Sequence, residues 1–346
     1  MRGVVFLGNR KLELREFPDP TPGPGEVVLA IKASGMCGSD LHPYRAVGNA
    51  AAALGLGGSG GPVIGGHEPC GVVAAVGAGV TDVKAGDRVM NHHYRGCGRC
   101  KHCRVGWSQL CRQGFVVYGM TGHGAHAPFM TVPARTCVPL PDVLSFEEGA
   151  SISCGTGTAY GALKRLDVSG RDTLAVFGQG PVGLSATLLG RAMGARVIAL
   201  DISPERRALA MEFGAEVALD PRTVDPVAAL KDLTGGEGVE TAMDCSGNPD
   251  ARVAAVRSAA TWGRVGFVGE GNTTTFDISQ DMIRRQLTIH ASWTFSSVGQ
   301  EECARFIADR RVPLKRLLTH RFALEQADEA YRLFDTQTTG KGVFVF

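Results

Sequence analysis

A glycine-rich turn between a predicted strand and a predicted helix constrains the fold of this chain most strongly. Residues 173–177 are a buried-strand run and residues 181–193 an apolar helix, and the segment Gly178-Gln179-Gly180-Pro181-Val182-Gly183 connects them. In such a turn the first glycine permits the tight bend, the second lets a phosphate approach the backbone, and the third lets the helix pack on the strand. The free N–H groups of the helix N-terminus then favour an anion such as a pyrophosphate.

Strands and helices alternate along the chain from about residue 145 onward. Further strands are predicted at 196–200, 216–219, 241–244, 264–268 and 287–290, with helices at 204–213, at 226–233 and between the third and fourth of these strands. This alternation predicts a doubly wound parallel sheet. The residues before 145 are mostly strand runs instead, for example 27–31, 71–76 and 87–90. The chain is therefore predicted to be an α/β protein with a β-rich first domain.

The strand after the glycine-rich turn ends at Asp201. A carboxylate at this position hydrogen-bonds the ribose hydroxyls of a dinucleotide and repels a 2′-phosphate, so it favours NAD over NADP. Arg206 and Arg207 follow closely and could weaken that preference. FAD is disfavoured because the turn is internal to the chain. The alternative is that the glycines only shape a tight corner.

Four cysteines fall within fifteen residues: Cys97, Cys100, Cys103 and Cys111. The C-x₂-C spacing is typical of a structural zinc site. An iron–sulfur cluster is an alternative, but its fourth cysteine usually comes sooner and precedes proline, whereas Arg112 follows here. Inert or disulfide-linked thiols also remain open. This lobe (about residues 92–114) has little apolar content, and zinc binding would supply on the order of 10 kcal/mol of local folding energy to it.

Three other possible metal ligands are dispersed along the chain, namely Cys37, His67 and Cys154. A catalytic zinc uses three protein ligands and an open fourth position, and two cysteines with one histidine are a known ligand set. Spacing cannot link residues so far apart. The residues alone therefore leave open that the thiols are buried apolar groups and that the histidine is a hydrogen-bonded polar group.

Together these segments resemble the zinc-containing medium-chain dehydrogenase/reductase family, which includes alcohol, sorbitol and threonine dehydrogenases. The resemblance covers nearly the whole length and rests on Cys37-Gly38-Ser39-Asp40-x-His42, Gly66-His67-Glu68, the four-cysteine lobe, Cys154-Gly155-Thr156-Gly157-Thr158 and the glycine-rich turn. It implies a GroES-like β-rich catalytic domain at 1–146, a Rossmann NAD-binding domain at 147–288, and a C-terminal segment at 289–346 that returns to the catalytic domain.

The resemblance also implies roles around a catalytic zinc held by Cys37, His67 and Cys154. Some relatives, in the threonine branch, carry an acidic residue in place of Cys154, so this ligand set is more similar to that of the alcohol dehydrogenases. Glu68 would lie beside the metal and ligate it transiently. Asp40 would orient the zinc-bound histidine, since such partners fix the tautomer of a ligand.

A proton path and a pocket are implied in the same way. Ser39 would receive the substrate proton and His42 would pass it to solvent, with an exposed loop histidine as the alternative for His42. His93 would border the substrate, where its polarity suggests a hydroxylated compound, with a surface position as the alternative. Further residues would line the cofactor: Thr158, Cys245, Ser246, Val268 and Gly269.

The expected activity is hydride transfer between an alcohol (a secondary alcohol, polyol or diol) and NAD, giving an aldehyde or ketone, with two zinc ions per subunit. The expected partners are a small-molecule alcohol or carbonyl substrate and further copies of the chain in a homodimer or homotetramer. One alternative is a non-enzymatic zinc-binding protein of the same fold. Another is a zinc-free quinone or enoyl reductase, although those relatives lack the four-cysteine lobe.

Composition supports these expectations. The formal net charge of +2 gives no strong field toward nucleic acid or acidic membranes. The apolar run at residues 3–7 is too short for a signal segment, and no run reaches the ~20 residues of a membrane span. A cytoplasmic location is therefore expected, where the ten cysteines would not form disulfides. The segment Gly48–Gly61, rich in alanine and glycine, is expected to be a mobile loop, with a helix over residues 50–54 as the alternative.

Overall fold

The computed structural model describes residues 1–47, 61–338 and 340–346. The predictions for Gly48–Gly61 therefore lie outside the described residues, except at Gly61. The chain divides into two compact units, the first comprising residues 1–157, 296–337 and 341–346 and the second residues 158–295 and 338–340. Among the described helices, none combines the length and the apolar character needed to cross a membrane.

Seventeen strands are found in the described residues. In chain order they are β1 (Arg2–Gly8), β2 (Lys11–Glu16), β3 (Glu26–Gly35), β4 (Glu68–Val76), β5 (Arg88–Asn91), β6 (Tyr94–Arg95), β7 (Val116–Val117), β8 (Phe129–Pro133), β9 (Cys137–Pro139), β10 (Thr173–Phe177), β11 (Arg196–Leu200), β12 (Val217–Leu219), β13 (Val239–Asp244), β14 (Ala259–Phe267), β15 (Thr288–Ala291), β16 (Leu318–Phe322) and β17 (Lys341–Val345).

The α-helices of the described residues are mostly short. In chain order they are α1 (Leu41–Arg45), α2 (Phe146–Ile152), α3 (Gly155–Arg165), α4 (Pro181–Ala192), α5 (Pro204–Glu212), α6 (Pro226–Asp232), α7 (Pro249–Ser258), α8 (Ile278–Asp281), α9 (Ser297–Asp309) and α10 (Ala327–Asp335).

The first unit is built on a mostly antiparallel sheet of seven strands. Its order is β16-β17-β3-β4-β5-β9, and β8 pairs with the long strand β3. The hairpin β1-β2 and the short pair β6-β7 form separate two-stranded sheets. One core of this unit joins strand and helix side chains from distant parts of the chain, among them Val4, Tyr44, Tyr331 and Phe344. The β-rich first domain predicted from sequence is thus present, and β17 joins it from the C-terminal segment.

The second unit contains a six-stranded parallel sheet in the order β12-β11-β10-β13-β14-β15. The connecting helices α4, α5, α6 and α7 each begin with a proline. Proline suits this position because its missing N–H would have no intrahelical partner there. The strand order places β10 and its following turn at the centre of the sheet, where a doubly wound fold binds its ligand.

The sequence analysis predicted domain boundaries at 146/147 and 288/289. In the structure the two units meet at 157/158 and 295/296 instead. Helix α2 packs on β3 and β4 and so belongs to the first unit. Strand β15 pairs with β14 and carries the second unit past residue 288.

Candidate active site and metal centres

The dispersed ligands lie near the meeting ends of β3 and β4. These strands are antiparallel, with Gly35 paired to Glu68. Cys37 therefore follows the end of one strand where His67 precedes the start of the other. Cys154 reaches the same place from the connection between α2 and α3.

The ligand atoms of Cys37, His67, Glu68 and Cys154 all lie within 4.8 Å of one another, and all four residues are buried. The two sulfur atoms are 3.8 Å apart, and both cysteines are free thiols. Two thiols, an imidazole and a carboxylate are the donor set that zinc prefers, and three of them would leave a fourth position for substrate. The residues present therefore fit a catalytic zinc.

Asp40 fixes the orientation of the imidazole. Its Oδ1 lies 2.8 Å from Nδ1 of His67, and its Oδ2 accepts a hydrogen bond of 2.9 Å from the backbone N–H of Cys37. Because Nδ1 is turned toward Asp40, Nε2 is turned toward the ligand cluster. The Ser39 hydroxyl lies at the same point, 3.1 Å from that Nε2 and 3.3 Å from the Cys37 sulfur.

Electrostatics within this cluster favour a thiolate. A hydrogen bond from Cys154 outweighs burial and lowers the pKa of Cys37 well below that of an ordinary thiol. The same hydrogen bond, together with burial, raises the pKa of Cys154. Burial lowers the pKa of His67, but the charges of Asp40 and Cys37 outweigh it, so the net pKa is raised. Since the thiolate is the form of cysteine that binds metal, the cluster is prepared for a cation.

The four-cysteine lobe forms a second cluster within the first unit. The sulfur atoms of Cys97, Cys100, Cys103 and Cys111 lie within 4.8 Å of one another. Backbone N–H groups point at the sulfurs: Cys100 donates to Cys97 at 3.3 Å, and Gln113 donates to Cys111 at 3.4 Å. Four sulfurs at this spacing fit a closed tetrahedral zinc site.

Those backbone donors also set the acidity of the lobe. N–H groups of Arg99 and Cys100 lower the pKa of Cys97. N–H groups of Cys103 and Arg112 lower the pKa of Cys100 to about 5. Burial raises the pKa of Cys103 to about 12. At neutral pH the lobe thus carries thiolate character, the state that a zinc ion requires.

The glycine-rich turn of the second unit has the geometry its sequence requires. Gly178 has φ +88°, a conformation that side chains rarely adopt. At Gly183, a Cβ atom would lie 1.8 Å from the carbonyl oxygen of Gly178. Gly180 caps α4, whose first residues Pro181 and Val182 follow the turn. The turn therefore leaves a backbone-lined approach to the N-terminus of a twelve-residue helix.

Asp201 is bound into this turn. Its carboxylate is buried and accepts N–H hydrogen bonds of 2.5 Å from Gln179 and 2.8 Å from Ser203. Arg206 is also buried, and Arg207 pairs with Asp220 at 3.0 Å. The positive charge of Arg207 is thus compensated by an acidic neighbour.

Two further loops meet the turn. The side chain of Ser246 lies against Gly178, and Gly247 lies against Gly269 so closely that a Cβ on Gly269 would be 2.1 Å from the Gly247 nitrogen. These residues follow β13 and β14, so Cys245 and Val268 occupy the same edge of the sheet. Thr158 is buried in α3 of the second unit. The structure therefore brings most of the predicted cofactor residues to one end of the parallel sheet.

Comparison with known proteins decides the family. The model of the alcohol dehydrogenase GroES-like domain matches residues 23–142, and that of the zinc-binding dehydrogenase matches residues 181–309. An uncharacterised zinc-type alcohol dehydrogenase-like protein, YphC of Escherichia coli K12, is 41% identical over all of this chain and 99% of its own length. The chain belongs to the zinc-binding alcohol dehydrogenase family.

Other members of that family match at lower identity. Sorbitol dehydrogenase of Bacillus subtilis 168 is 30% identical, with 95% of this chain and 92% of the relative covered. The crystal structure of a protein described as short chain alcohol dehydrogenase (rspB) from E. coli CFT073, complexed with NADH, superposes with a TM-score of 0.88 at 25% identity, covering 100% of this chain and 99% of that one. These matches confirm the predicted fold class and the prediction of a zinc-type, NAD-linked alcohol or polyol oxidoreductase.

A buried lysine in this dehydrogenase was missed by the sequence analysis. Lys341 Nζ lies 2.5 Å from Oε2 of Glu68 and donates to the carbonyl oxygen of Met36 at 3.1 Å. Burial raises the pKa of Glu68 to about 8, although the lysine charge opposes this. Gly35 makes room for the pair, because a Cβ there would lie 1.9 Å from Oε2 of Glu68. No motif marks Lys341, which stands in the short C-terminal strand β17.

The two other histidines that the sequence analysis placed at the site, His93 and His42, have contrasting positions. His93 is only 1% exposed, its Nδ1 lies 2.7 Å from the carbonyl oxygen of Ser153, and its ring centroid is 5.6 Å from that of His67. The alternative of a surface position for His93 is therefore wrong. His42 is exposed on α1, and within the described ranges no hydrogen bond joins its side chain to Ser39.

Proposed function

We propose that this chain oxidises a secondary alcohol, diol or polyol to the carbonyl compound, with NAD⁺ as the acceptor and a zinc ion bound by Cys37, His67 and Cys154. The carbon that carries the hydroxyl loses a hydride to NAD⁺, and the hydroxyl loses a proton to solvent, so the products are NADH and an aldehyde or ketone. The observation that carries this proposal is the buried convergence of two thiols and one imidazole, with a carboxylate beside them.

A zinc ion held by these residues would supply Lewis-acid chemistry and lower the pKa of a substrate hydroxyl. The surrounding side chains orient the zinc ligand and move the substrate proton. Asp40 holds the ring of His67 so that Nε2 faces the cluster, and the hydroxyl of Ser39 lies 3.1 Å from that nitrogen, where it can accept the substrate proton. His42, exposed on α1, then passes the proton to solvent, a task suited to an imidazole.

The choice of NAD is supported by Asp201. Its carboxylate is buried beside the turn and held by two backbone N–H groups, so it keeps its position and would repel a 2′-phosphate. The structural neighbour that was solved with NADH is consistent with the same cofactor. The four cysteines of the lobe would hold a second, structural zinc. We expect the active form to be a homodimer or homotetramer.

A hydroxylated substrate is supported by His93. Burial and the neighbouring His67 and His92 lower its pKa well below the usual value, so the ring is neutral at physiological pH. A neutral imidazole both donates and accepts hydrogen bonds, which suits a polyol better than an apolar alcohol. The similarity to a sorbitol dehydrogenase points to the same substrate class.

The test combines metal analysis with NADH formation across matched alcohols: simple secondary alcohols, vicinal diols and sugar alcohols. We expect two zinc ions per chain, activity with NAD⁺ that a chelator abolishes, and the highest kcat/KM with a polyol or diol. A single zinc and no turnover on any compound would favour the non-enzymatic alternative. Activity confined to simple aliphatic alcohols would contradict the role of His93 alone.

A further inference from the structure

The buried cluster contains one donor group more than a catalytic zinc needs. Cys37, His67 and Cys154 are the three proposed protein ligands, and a carboxylate oxygen of Glu68 lies within 4.8 Å of the ligand atom of each of them. A zinc ion with four protein ligands is closed, as in structural sites, whereas a catalytic zinc keeps its fourth position for the substrate. The reactivity of the cluster therefore depends on what Glu68 binds instead of the metal.

Lys341 binds the Glu68 carboxylate at both of its oxygens. Its Nζ donates a hydrogen bond of 2.7 Å to Oε1 and lies 2.5 Å from Oε2. Both side chains are shielded from solvent, with exposures of 1% for Lys341 and 0% for Glu68. Because a buried carboxylate that loses its partner is strongly destabilising, the pair is expected to persist as long as the lysine is present.

The lysine is itself anchored next to the metal ligands. Its Nζ also donates to the carbonyl oxygen of Met36 at 3.1 Å, and the Met36 N–H donates to the carbonyl oxygen of Gly342 at 3.0 Å. Strand β17 pairs with β3 in a register that places Val343 opposite Gly35. The backbone of β17 thus fixes the position from which the lysine reaches Glu68.

The strand opposite Glu68 leaves space for its carboxylate. Gly35 is the residue paired with Glu68 across β3 and β4. A Cβ atom at Gly35 would lie 1.9 Å from Oε2 and 3.0 Å from the carboxyl carbon of Glu68. The carboxylate is therefore in close contact with the Gly35 backbone and with Lys341, and any larger residue at position 35 would displace it.

We infer that Lys341 is a positioning residue that competes with the metal for Glu68 and so keeps the fourth position of the catalytic zinc open for substrate. This inference rests on the proposed function, because it assumes a zinc ion bound by Cys37, His67 and Cys154. Lys341 acts through Glu68. Without the lysine, the buried carboxylate would turn to the metal as its nearest cation, and the site would become four-coordinate and closed.

The experiment uses the holoenzyme with cobalt(II) in the buried site and zinc in the four-cysteine lobe, because the visible spectrum of cobalt reports its ligands. Imidazole is the probe of the open position, and its dissociation constant is obtained from the spectral change. The lobe zinc, counted by metal analysis in each variant, is the internal standard of folding. For the wild type we expect saturable imidazole binding.

Lys341→Met keeps most of the side-chain length and removes the ammonium group. We expect imidazole to bind this variant about 10–100-fold more weakly, which is the size of effect typical for the loss of an outer partner at a metal site. Lys341→Arg is the conservative variant. It keeps a cation beside Glu68, so its imidazole affinity should stay closer to that of the wild type.

The double variant Lys341→Met/Glu68→Gln separates positioning from packing. It lacks the same lysine but also the carboxylate that would close the site, so its imidazole affinity should return toward the wild-type value. If Lys341 only stabilised the fold, the double variant would bind imidazole as weakly as the single one. That result would overturn the inference, and so would wild-type affinity in Lys341→Met.

A further variant, Glu68→Gln, leaves Lys341 unchanged and decides the question if Lys341→Met does not fold. In the wild type Glu68 is held by the lysine, so its replacement should leave the imidazole affinity unchanged. Tighter binding of imidazole to Glu68→Gln would mean that Glu68 occupies the fourth position in the wild type, and the inference would be wrong. A wild-type chain that takes up metal in the lobe alone would instead contradict the proposed function, so the two failures are distinguishable.

Discussion

The two proposed metal centres of this chain are built in opposite ways. The four-cysteine lobe takes all its ligands from one short segment, and backbone N–H groups support its sulfurs. The buried Cys37/His67/Cys154 cluster takes its ligands from three distant segments, and side chains such as Asp40 support it. The lobe therefore depends on its own loop, whereas the buried cluster depends on the correct folding of the whole first unit.

Removal of one cysteine from the lobe tests whether the lobe is independent of the buried cluster. Cys103→Ser removes one of its four sulfurs, and the zinc bound there should be lost together with folding energy on the order of 10 kcal/mol. We expect residues 97–111 to become sensitive to limited proteolysis while the other zinc is retained in metal analysis. Loss of both ions would mean that the two centres are not independent.

The second-largest effect is expected from removing one ligand of the buried cluster instead. His67→Ala should remove the catalytic zinc and lower kcat/KM about 10³-fold or more, because several kcal/mol of Lewis-acid stabilisation are lost. The lobe should keep its zinc and its resistance to protease. Activity within tenfold of the wild type would remove His67 from the proposed ligand set.

The substitution Asp40→Asn tests whether the buried cluster depends on the side chain that orients His67. An asparagine can present its amide N–H to Nδ1 of His67, which favours the wrong tautomer, so we expect a 10–100-fold loss of zinc affinity at this site. Competitive chelation measures the change, with the lobe again as the internal standard. An unchanged affinity would mean that the buried site, like the lobe, is held without this side chain.

The smallest effect concerns pH. The Cys100 pKa lies at about 5, below the ordinary thiol value of 9.0, so the fold favours the thiolate. This contribution to stability is present above the ordinary pKa and is lost as the pH falls through the folded pKa. Zinc should therefore remain in the lobe at pH 7 and leave it below about pH 5, as followed with a zinc-sensitive dye. Complete release near neutral pH would contradict this view of the backbone donors.

Local features of the sequence predicted much of this molecule. The parallel strands, the turn at Gly178 and the cysteine lobe depend on residues that are close in sequence, so spacing alone identified them. Helix α2 was missed although its signal was present. Ser145 caps it, and the Glu148 carboxylate accepts a hydrogen bond from the backbone N–H of Ser145, a pattern of the S-x-x-E type.

The dispersed features could not be predicted from spacing. Lys341 meets Glu68 only because β17 pairs with β3, with Val343 opposite Gly35. His126 and Tyr331 are neighbours in space but carry no motif in the sequence. The resemblance to a family predicted the dispersed ligands, whereas the side chains packed around them were found only in the folded structure.

The position of Lys341 has a consequence for biosynthesis. A ribosome produces Cys37, His67, Glu68 and Cys154 early, and then the bulk of the second unit, before β17 is made. Until then Glu68 lacks the counter-charge of Lys341, which lies 2.5 Å away in the folded protein. Because the first unit includes residues 341–346, the electrostatics of the buried cluster are completed only when this last strand of the unit has been made and paired.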